Sequence, residues 1–122
     1  MPEFVLLFRM DIVNDAAQPS PAQMEAYMTQ WQAWIESISA LGCAVQGGNH
    51  FSRQGTVLTR GAASSGNAAE AEGPYVANNV SVAGYLLLHA PDREHALDVA
   101  RKCPILHGEG TSVEVRETAN PG

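Results

Sequence analysis

Short apolar runs alternate with polar and glycine-rich segments along this chain. The run from Phe4 to Met10 is too short for a typical helix and is rich in residues that favour strands, so it predicts a strand at 3–11. Four further apolar or alternating segments predict strands at 43–46, 56–60, 80–89 and 112–117. The two glycines that follow the second of these five strands predict a bend.

Two helices are expected from their start signals and from the spacing of apolar residues. The segment Ser20–Gln23 offers an N-cap serine, a proline at the first helical position and a glutamine at the third, and Gly42 can end this helix. Asp92 caps a second helix that runs to about Lys102, before Pro104. The first helix carries an apolar stripe at three- and four-residue steps, which predicts the main core-packing face: Met24, Tyr27, Met28, Trp31, Trp34, Ile35, Ile38 and Leu41. The second helix directs a smaller set inward: Ala96, Leu97, Ala100 and Cys103.

The order β-α-β-β-β-α-β predicts an α+β fold in which both helices cover the same face of a mostly antiparallel sheet. The length of 122 residues is typical of a single domain, spanning 1–122. Residues 61–74 are small and polar, which predicts a mobile surface loop, and the tail at 118–122 is expected to be loose.

The first predicted strand carries apolar side chains on both of its faces. Phe4 and Leu6 lie on one face by strand alternation, and Val5 and Leu7 lie on the other. Two helices can cover only one face of the sheet. We therefore expect a homodimer, in which a second copy packs sheet to sheet about a two-fold axis.

The composition narrows the classes of partner. The chain has 13 acidic and 7 basic side chains, a formal net charge of −6, which argues against binding to nucleic acid or to an anionic membrane surface. No apolar run approaches the ~20 residues that a bilayer span needs. The amino terminus resembles no secretion signal, so a cytoplasmic location is expected. Cys43 and Cys103 lack the spacing of a zinc site and are expected to be buried, reduced thiols.

Polar side chains interrupt the second face of the predicted sheet. Strand alternation places Arg9 and Asp11 on the face turned toward the partner. Glu114 and Arg116 share a face of the last strand, but alternation does not fix which face they or Tyr85 occupy. Two interpretations stay open. These residues form ion pairs at the rim of an interface, or they line a pocket that binds a ligand.

Two of the four histidines are candidates for acid/base catalysis. His50 follows the predicted glycine bend, and His107 lies in a glycine-flanked turn before the last strand. Loops held over rigid strands are where functional residues concentrate, and an imidazole titrates near neutral pH. None of the histidines has the spacing of a metal site, so we expect no metal. The sequence also has no Walker loop and no dinucleotide fingerprint, and we expect no cofactor.

Four segments of the carboxy-terminal half resemble the YCII-related proteins, in particular the branch named for its Asp-Gly-Pro-Phe motif. They are Glu72–Tyr75, Ala83–Leu87, Cys103–Pro104 and Ser112–Arg116, in the order and spacing of that family. The first strand, the first helix and the glycine pair also fit, so the resemblance covers most of the chain. It implies a ferredoxin-like α+β fold that pairs into a dimeric α/β barrel.

The resemblance also bears on the site. The positions of a suspected catalytic histidine and aspartate in the family correspond here to Trp31 and Cys103, so this dyad is missing. Tyr75 takes the place of the motif's phenylalanine and Asn79 that of a lysine that usually follows. These two residues keep a hydroxyl and an amide that can bind a ligand, beside Arg9, Asp11, Tyr85 and Arg116.

These observations predict a homodimer that binds an unknown small molecule near the sheet. One version is a cofactor-free enzyme in which His107 or His50 acts as acid or base. One alternative is a non-catalytic accessory or regulatory dimer module. Another is a cofactor-independent monooxygenase, which needs a deep aromatic pocket from Trp31 and Trp34. An enclosed pocket lined by a histidine and an arginine would favour chemistry, whereas a filled interior would favour the module.

Overall fold

The computed structural model describes residues 1–14, 18–61 and 68–119. Its strands are β1 (Glu3–Asp11), β2 (Ala44–His50), β3 (Thr56–Thr59), β4 (Ala69–Glu72), β5 (Val80–His89) and β6 (Ser112–Glu117). Its α-helices are α1 (Pro21–Ser37) and α2 (Arg93–Arg101), followed by short 3-10 helices at Ile38–Leu41 and Pro104–His107.

The architecture is α+β, as the sequence predicts. Four antiparallel strands form the main sheet in the order β2-β5-β1-β6, and β3 pairs with β4 in a separate two-stranded sheet. This order is compatible with a ferredoxin-like fold that carries the β3–β4 hairpin as an insertion between β2 and β5. None of the described helices is both long and apolar enough to cross a bilayer.

The described chain contains six strands, one more than the sequence predicts. β2 does not bend at Gly47 and Gly48, because both residues pair with β5. The segment 69–72 was expected to belong to a loop, but it forms β4 and pairs with β3. The middle of the predicted loop, residues 62–67, lies outside the described residues.

Backbone hydrogen bonds extend the pairing of β1 with both of its neighbours at the amino-terminal end of β1. Ala90 donates its N–H to the carbonyl of Pro2, and Thr118 donates to the carbonyl of Glu3. Thr118 was expected to start a loose tail, but it extends the pairing of β6 with β1. Residues 120–122 of that tail lie outside the described part of the chain.

The helix start signals act as predicted. The Ser20 hydroxyl accepts a hydrogen bond from the Gln23 N–H, and the Gln23 side chain accepts one from the Ser20 N–H, which completes a capping box. At the other end, Gly42 adopts a left-handed backbone with φ 79°, which glycine allows at little cost.

One face of the main sheet packs against both helices. β1 and β5 contribute five side chains: Phe4, Leu6, Phe8, Leu86 and Leu88. The two α-helices and the 3-10 helix that follows α1 contribute six: Trp31, Trp34, Ile38, Ala96, Val99 and Ala100. The prediction of a common helical face is confirmed, but Leu97 is only half-buried and Val99 takes the inward position.

The apolar stripe of α1 packs only in part. Trp31, Trp34 and Ile38 are buried, whereas Met24, Met28 and Ile35 are 44%, 47% and 39% exposed. The stripe is wider than the sheet can cover, so its outer side faces solvent.

Both cysteines are free and buried, as the sequence predicts. Burial raises the pKa of the Cys103 thiol to about 12. This thiol is therefore protonated and unreactive at neutral pH.

Asp92 and His95 form the first turn of α2. One carboxylate oxygen of Asp92 accepts the His95 backbone N–H at 2.9 Å and lies 2.7 Å from ring Nδ1. The hydrogen bonds from His95 lower the pKa of Asp92, and the hydrogen bond and charge of Asp92 raise the pKa of His95.

The Asp92–His95 pair is expected to stabilise the fold within a window of pH, and to lose this stabilisation at both higher and lower pH. Because the pKa of His95 is raised in the folded protein, its share of the stabilisation is complete below the ordinary histidine pKa of 6.5. That share is lost as pH rises through the raised pKa of the folded state. The Asp92 contribution is complete above 3.8 and is lost as pH falls through its lowered folded value. In an NMR titration we expect Asp92→Asn, which keeps the cap, to lower the His95 pKa. Asp98→Asn removes a weaker charge effect and should lower it less; an unchanged value in Asp92→Asn would contradict the assignment.

Candidate functional site

The face of the main sheet opposite the helices is called here the uncovered face, because no described helix or hairpin packs across it. Its centre is apolar and half-buried, with Val5 and Leu7 on β1 and Leu87 on β5. Val5 lies opposite Leu87, and Leu7 lies opposite Tyr85 on the same neighbouring strand. The prediction of apolar side chains on both faces of β1 is confirmed.

The pairing of the strands settles which face the undecided polar residues occupy. Arg116 is opposite Val5, and Glu114 is opposite Leu7, so both side chains of β6 lie on the uncovered face. Tyr85 joins them through its pairing with Leu7. The strand order therefore gathers Arg9, Glu114, Arg116 and Tyr85 on one surface.

An ion-pair cluster occupies the β6 side of this surface. Arg9 donates to Glu114 at 2.7 Å, and Arg116 lies 3.4 Å from the other oxygen of the same carboxylate. The side chains of Arg9 and Glu114 are about one-third exposed, at 34% and 35%, whereas Arg116 is 69% exposed. The hydrogen bond and charge of Arg9, assisted by Arg116, lower the pKa of Glu114. The cluster therefore carries two positive charges against one negative charge.

Aromatic and amide groups occupy the β2 side. The Tyr85 ring lies over the Phe51 ring, with centroids 5.5 Å apart and planes inclined by 32°. Phe51, directly after β2, is 51% exposed and was not singled out in the sequence. At the carboxy-terminal end of β5, the ring Nε2 atom of His89 lies 2.7 Å from the side-chain oxygen of Gln46 on β2.

Asp11 lies at the end of β1 and organises the turn that follows. Its carboxylate accepts hydrogen bonds from the backbone N–H groups of Val13 and Asn14 and from the Asn14 side chain. The bonds from Asn14, followed by that from Val13, lower the pKa of Asp11. Strand alternation places Asp11 on the uncovered face, as predicted, and its described side-chain hydrogen bonds are all to the turn at Val13 and Asn14.

Tyr75 and Asn79 lie in the segment that returns from the hairpin to β5. The Tyr75 side chain is 74% exposed, and its carbonyl accepts a hydrogen bond from the Ser81 hydroxyl. Asn78 and Asn79 have φ values of 53° and 67°, and they form a tight turn closed by reciprocal Ala77–Val80 hydrogen bonds. Asparagine tolerates this left-handed backbone better than most residues, so their sequence positions are explained by the turn.

His50 lies on the other side of the sheet. It is the last residue of β2, pairs with Gly84, and places its ring 5.6 Å from the centroid of Trp31. Together with the outer side of α1 it borders an open groove of about 640 Å³ that has no arginine among its lining residues. The structure thus separates His50 from the Arg9 cluster by the thickness of the sheet.

His107 ends the second 3-10 helix and is exposed. The same short helix contributes Pro104 and Ile105 to the buried side chains on the helix side of the sheet. No described hydrogen bond joins His107 to His50 or to any of the charged residues of the uncovered face. The two candidate catalytic histidines are therefore not assembled with the predicted arginines.

The interior between sheet and helices is filled with aromatic rings. Trp31 lies edge-on to Phe8 and to Trp34, with centroid distances of 4.8 and 5.4 Å. Tyr27 donates its hydroxyl to the Pro104 carbonyl at 3.2 Å, and burial raises its pKa. The indole N–H of Trp31 is buried, and it has no hydrogen-bond acceptor in the described part of the chain. The tryptophans thus pack as core residues, and Trp31 also lines the open groove beside α1.

The described residues offer no cluster of three or more histidine, cysteine, aspartate or glutamate side chains able to hold a metal ion. A comparison with protein-family models and with curated proteins found no match to this chain.

Proposed function

We propose that the chain acts as a homodimer that joins two copies through the uncovered face and holds a small organic molecule at the charged side of the seam. The observation that carries this proposal is the half-buried apolar strip of Val5, Leu7 and Leu87, which lacks a second layer among the described residues. Apolar surface of this kind is stabilised when another layer removes it from water.

The size and charge of the face favour a second copy as the missing layer. Four strands at ~4.8 Å spacing, with about eight residues each at ~3.3 Å, span roughly 20 by 26 Å. Because side chains protrude from the sheet, the accessible area of the face is larger than this rectangle and approaches the ~800 Å² per partner of stable interfaces. The face carries Arg9 and Arg116 as well as Glu114, so two copies related by a two-fold axis can present opposite charges to each other.

The resemblance to YCII-related proteins supports the same arrangement, because that family implies a dimeric α/β barrel. The strand order β2-β5-β1-β6 is compatible with the ferredoxin-like fold that the resemblance implies for each copy. The family assignment and the dimer are both parts of this proposal.

The ligand class follows from the ion-pair cluster. Two guanidinium groups carry ten N–H donors, and one carboxylate can accept only some of them. A carboxylate or carbonyl oxygen of a small molecule would use the remaining donors at the edge of an apolar seam. Tyr85 and Phe51 provide aromatic surface for the body of such a ligand on the β2 side.

Binding is favoured over catalysis at this seam. Acid/base chemistry needs a titratable group within hydrogen-bond reach of the reacting atoms. His50 lies on the opposite face of the sheet, and His107 follows a segment that packs on the helix side. We therefore propose a binding protein, with no catalytic role for these histidines.

The oligomeric state tests the dimer. Light scattering at micromolar concentration should give twice the chain mass of 13.0 kDa. Leu7→Asp would bury a carboxylate in the seam and is expected to raise the dimer dissociation constant at least ~100-fold. Leu58→Asp, at a side chain that is 61% exposed on β3, is the matched control and should leave the mass unchanged. A wild-type protein with the mass of one chain would contradict the proposal.

The ligand class is tested in the same protein by thermal shift. Benzoate is expected to raise the melting temperature, because a ligand that binds only the native state stabilises it. Benzyl alcohol, which has the ring without the charge, should have little effect. In Arg9→Gln, at least ~10 times more benzoate should be needed to give the same rise in melting temperature. Arg101→Gln, at an exposed residue of α2, should respond to benzoate as the wild type does. Equal shifts with both compounds would contradict an arginine site.

A further inference from the structure

The solvent side of α1 carries apolar side chains that no described element covers. Met28 is 47% exposed and Ile35 is 39% exposed, and both line a groove of about 640 Å³ together with Trp31. His50 lines the groove at the end of β2. This surface lies on the helix layer, away from the uncovered face of the sheet.

The spacing of the apolar residues favours a helix as the occupant. Met24, Met28, Trp31 and Ile35 are separated by four, three and four positions. Met24 and Trp31 are seven positions apart, as are Met28 and Ile35. This heptad repeat, with two apolar positions in every seven, is the one at which two helices pack side by side. α1 has 17 residues and is therefore about 25 Å long, enough for several turns of a second helix.

The formally charged residues that line this groove are both acidic. Glu25 and Glu36 line the groove, and α1 contains no lysine or arginine. The whole segment from Met10 to Ser52 has none.

These charges disfavour a second copy of α1 as the occupant. An antiparallel pairing would place Glu25 of one copy near Glu36 of the other, and a parallel pairing would place each glutamate near its own equivalent. Both arrangements bring like charges together, which destabilises helix pairs. Lysine or arginine beside the apolar stripe of a different helix would instead meet opposite charges.

We propose that the outer side of α1 docks an amphipathic helix of a partner protein, whose apolar stripe is flanked by lysine or arginine. Met28, Trp31 and Ile35 receive its apolar side chains, and Glu25 and Glu36 pair with its cations. The docking does not depend on the proposed dimer or on its ligand.

Two synthetic helical peptides of about 18 residues test the proposal by calorimetry at physiological salt. They share one leucine stripe and carry either lysine or glutamate at the flanking positions. The lysine peptide is expected to bind at least ten times more tightly than the glutamate peptide. The double variant Glu25→Lys/Glu36→Lys should reverse this preference, because it reverses the charges beside the groove.

A control of equal net charge separates the site from general attraction to an acidic protein. Glu70→Lys/Glu72→Lys changes two exposed residues of β4 and should alter lysine-peptide binding less than threefold. Equal weakening by the two double variants, equal binding of the two peptides, or no binding of either would overturn the proposal. A change of oligomeric mass in Met28→Asp would also overturn it, because a second copy would then occupy the stripe.

Discussion

Replacing Trp34 by alanine is expected to lower the free energy of unfolding by about 4 kcal/mol. The Trp34 side chain is buried, its ring meets Trp31 edge-on, and its indole N–H donates to the Val99 carbonyl at 3.0 Å. The substitution removes a contact between α1 and α2 and leaves a large cavity beside Phe8. Urea unfolding followed by far-UV circular dichroism at one protein concentration measures the change.

Trp34→Phe divides this effect between ring packing and the hydrogen bond. We expect a loss of about 1–2 kcal/mol, because a ring remains and the Val99 carbonyl still accepts the Lys102 N–H. Leu58→Ala on the exposed β3 should change stability by less than ~0.5 kcal/mol. A loss below about 1 kcal/mol in Trp34→Ala would contradict the packing of α1 on α2.

Local signals in the sequence were sufficient for most of the fold. The capping residues Ser20, Gln23 and Asp92 act within one turn, so their role can be predicted without knowledge of distant contacts. Alternation along β1 likewise revealed two apolar faces, because each side chain's direction depends only on its position in the strand. These are properties of neighbouring residues.

The errors concern elements that depend on pairing across the chain. Gly47 and Gly48 have no side chain to signal a strand, and β2 includes them because β5 supplies the hydrogen-bond partners. The alanine and glutamate residues of 69–72 have low strand propensity, and their pairing with β3 determines their conformation. Periodicity also could not show that the sheet covers only part of the α1 stripe, which leaves Met28 exposed.

The same distinction between local signals and pairing across the chain applies to the candidate site. Arg9 could be placed on the second face by alternation, but the face of Glu114, Arg116 and Tyr85 required the register of β1 with its two neighbours. Phe51 was missed because the predicted bend interrupted β2, so its position beside Tyr85 could not be derived. Long-range register is therefore the information that the sequence alone did not contain.

Gly48→Ala is expected to lower the free energy of unfolding by about 3 kcal/mol, although it adds only one methyl group. A Cβ atom at Gly48 would lie 2.5 Å from the Tyr85 carbonyl oxygen and 3.1 Å from the Leu86 Cα. Both atoms belong to the backbone of the paired strand, so relief requires β2 to move away from β5. Urea unfolding measures the loss, and faster amide exchange in β2 and β5 would locate it.

Gly47→Ala is the matched control, because a Cβ atom there meets nothing within 4 Å. Alanine also restricts the unfolded chain more than glycine does, so this variant should be as stable as the wild type or more stable by up to ~1 kcal/mol. The adjacent glycines should therefore differ by about 3–4 kcal/mol in their response to the same substitution. Equal stabilities of the two variants would show that β2 does not approach β5 as closely as described, and the position of Phe51 beside Tyr85 would then lose its support.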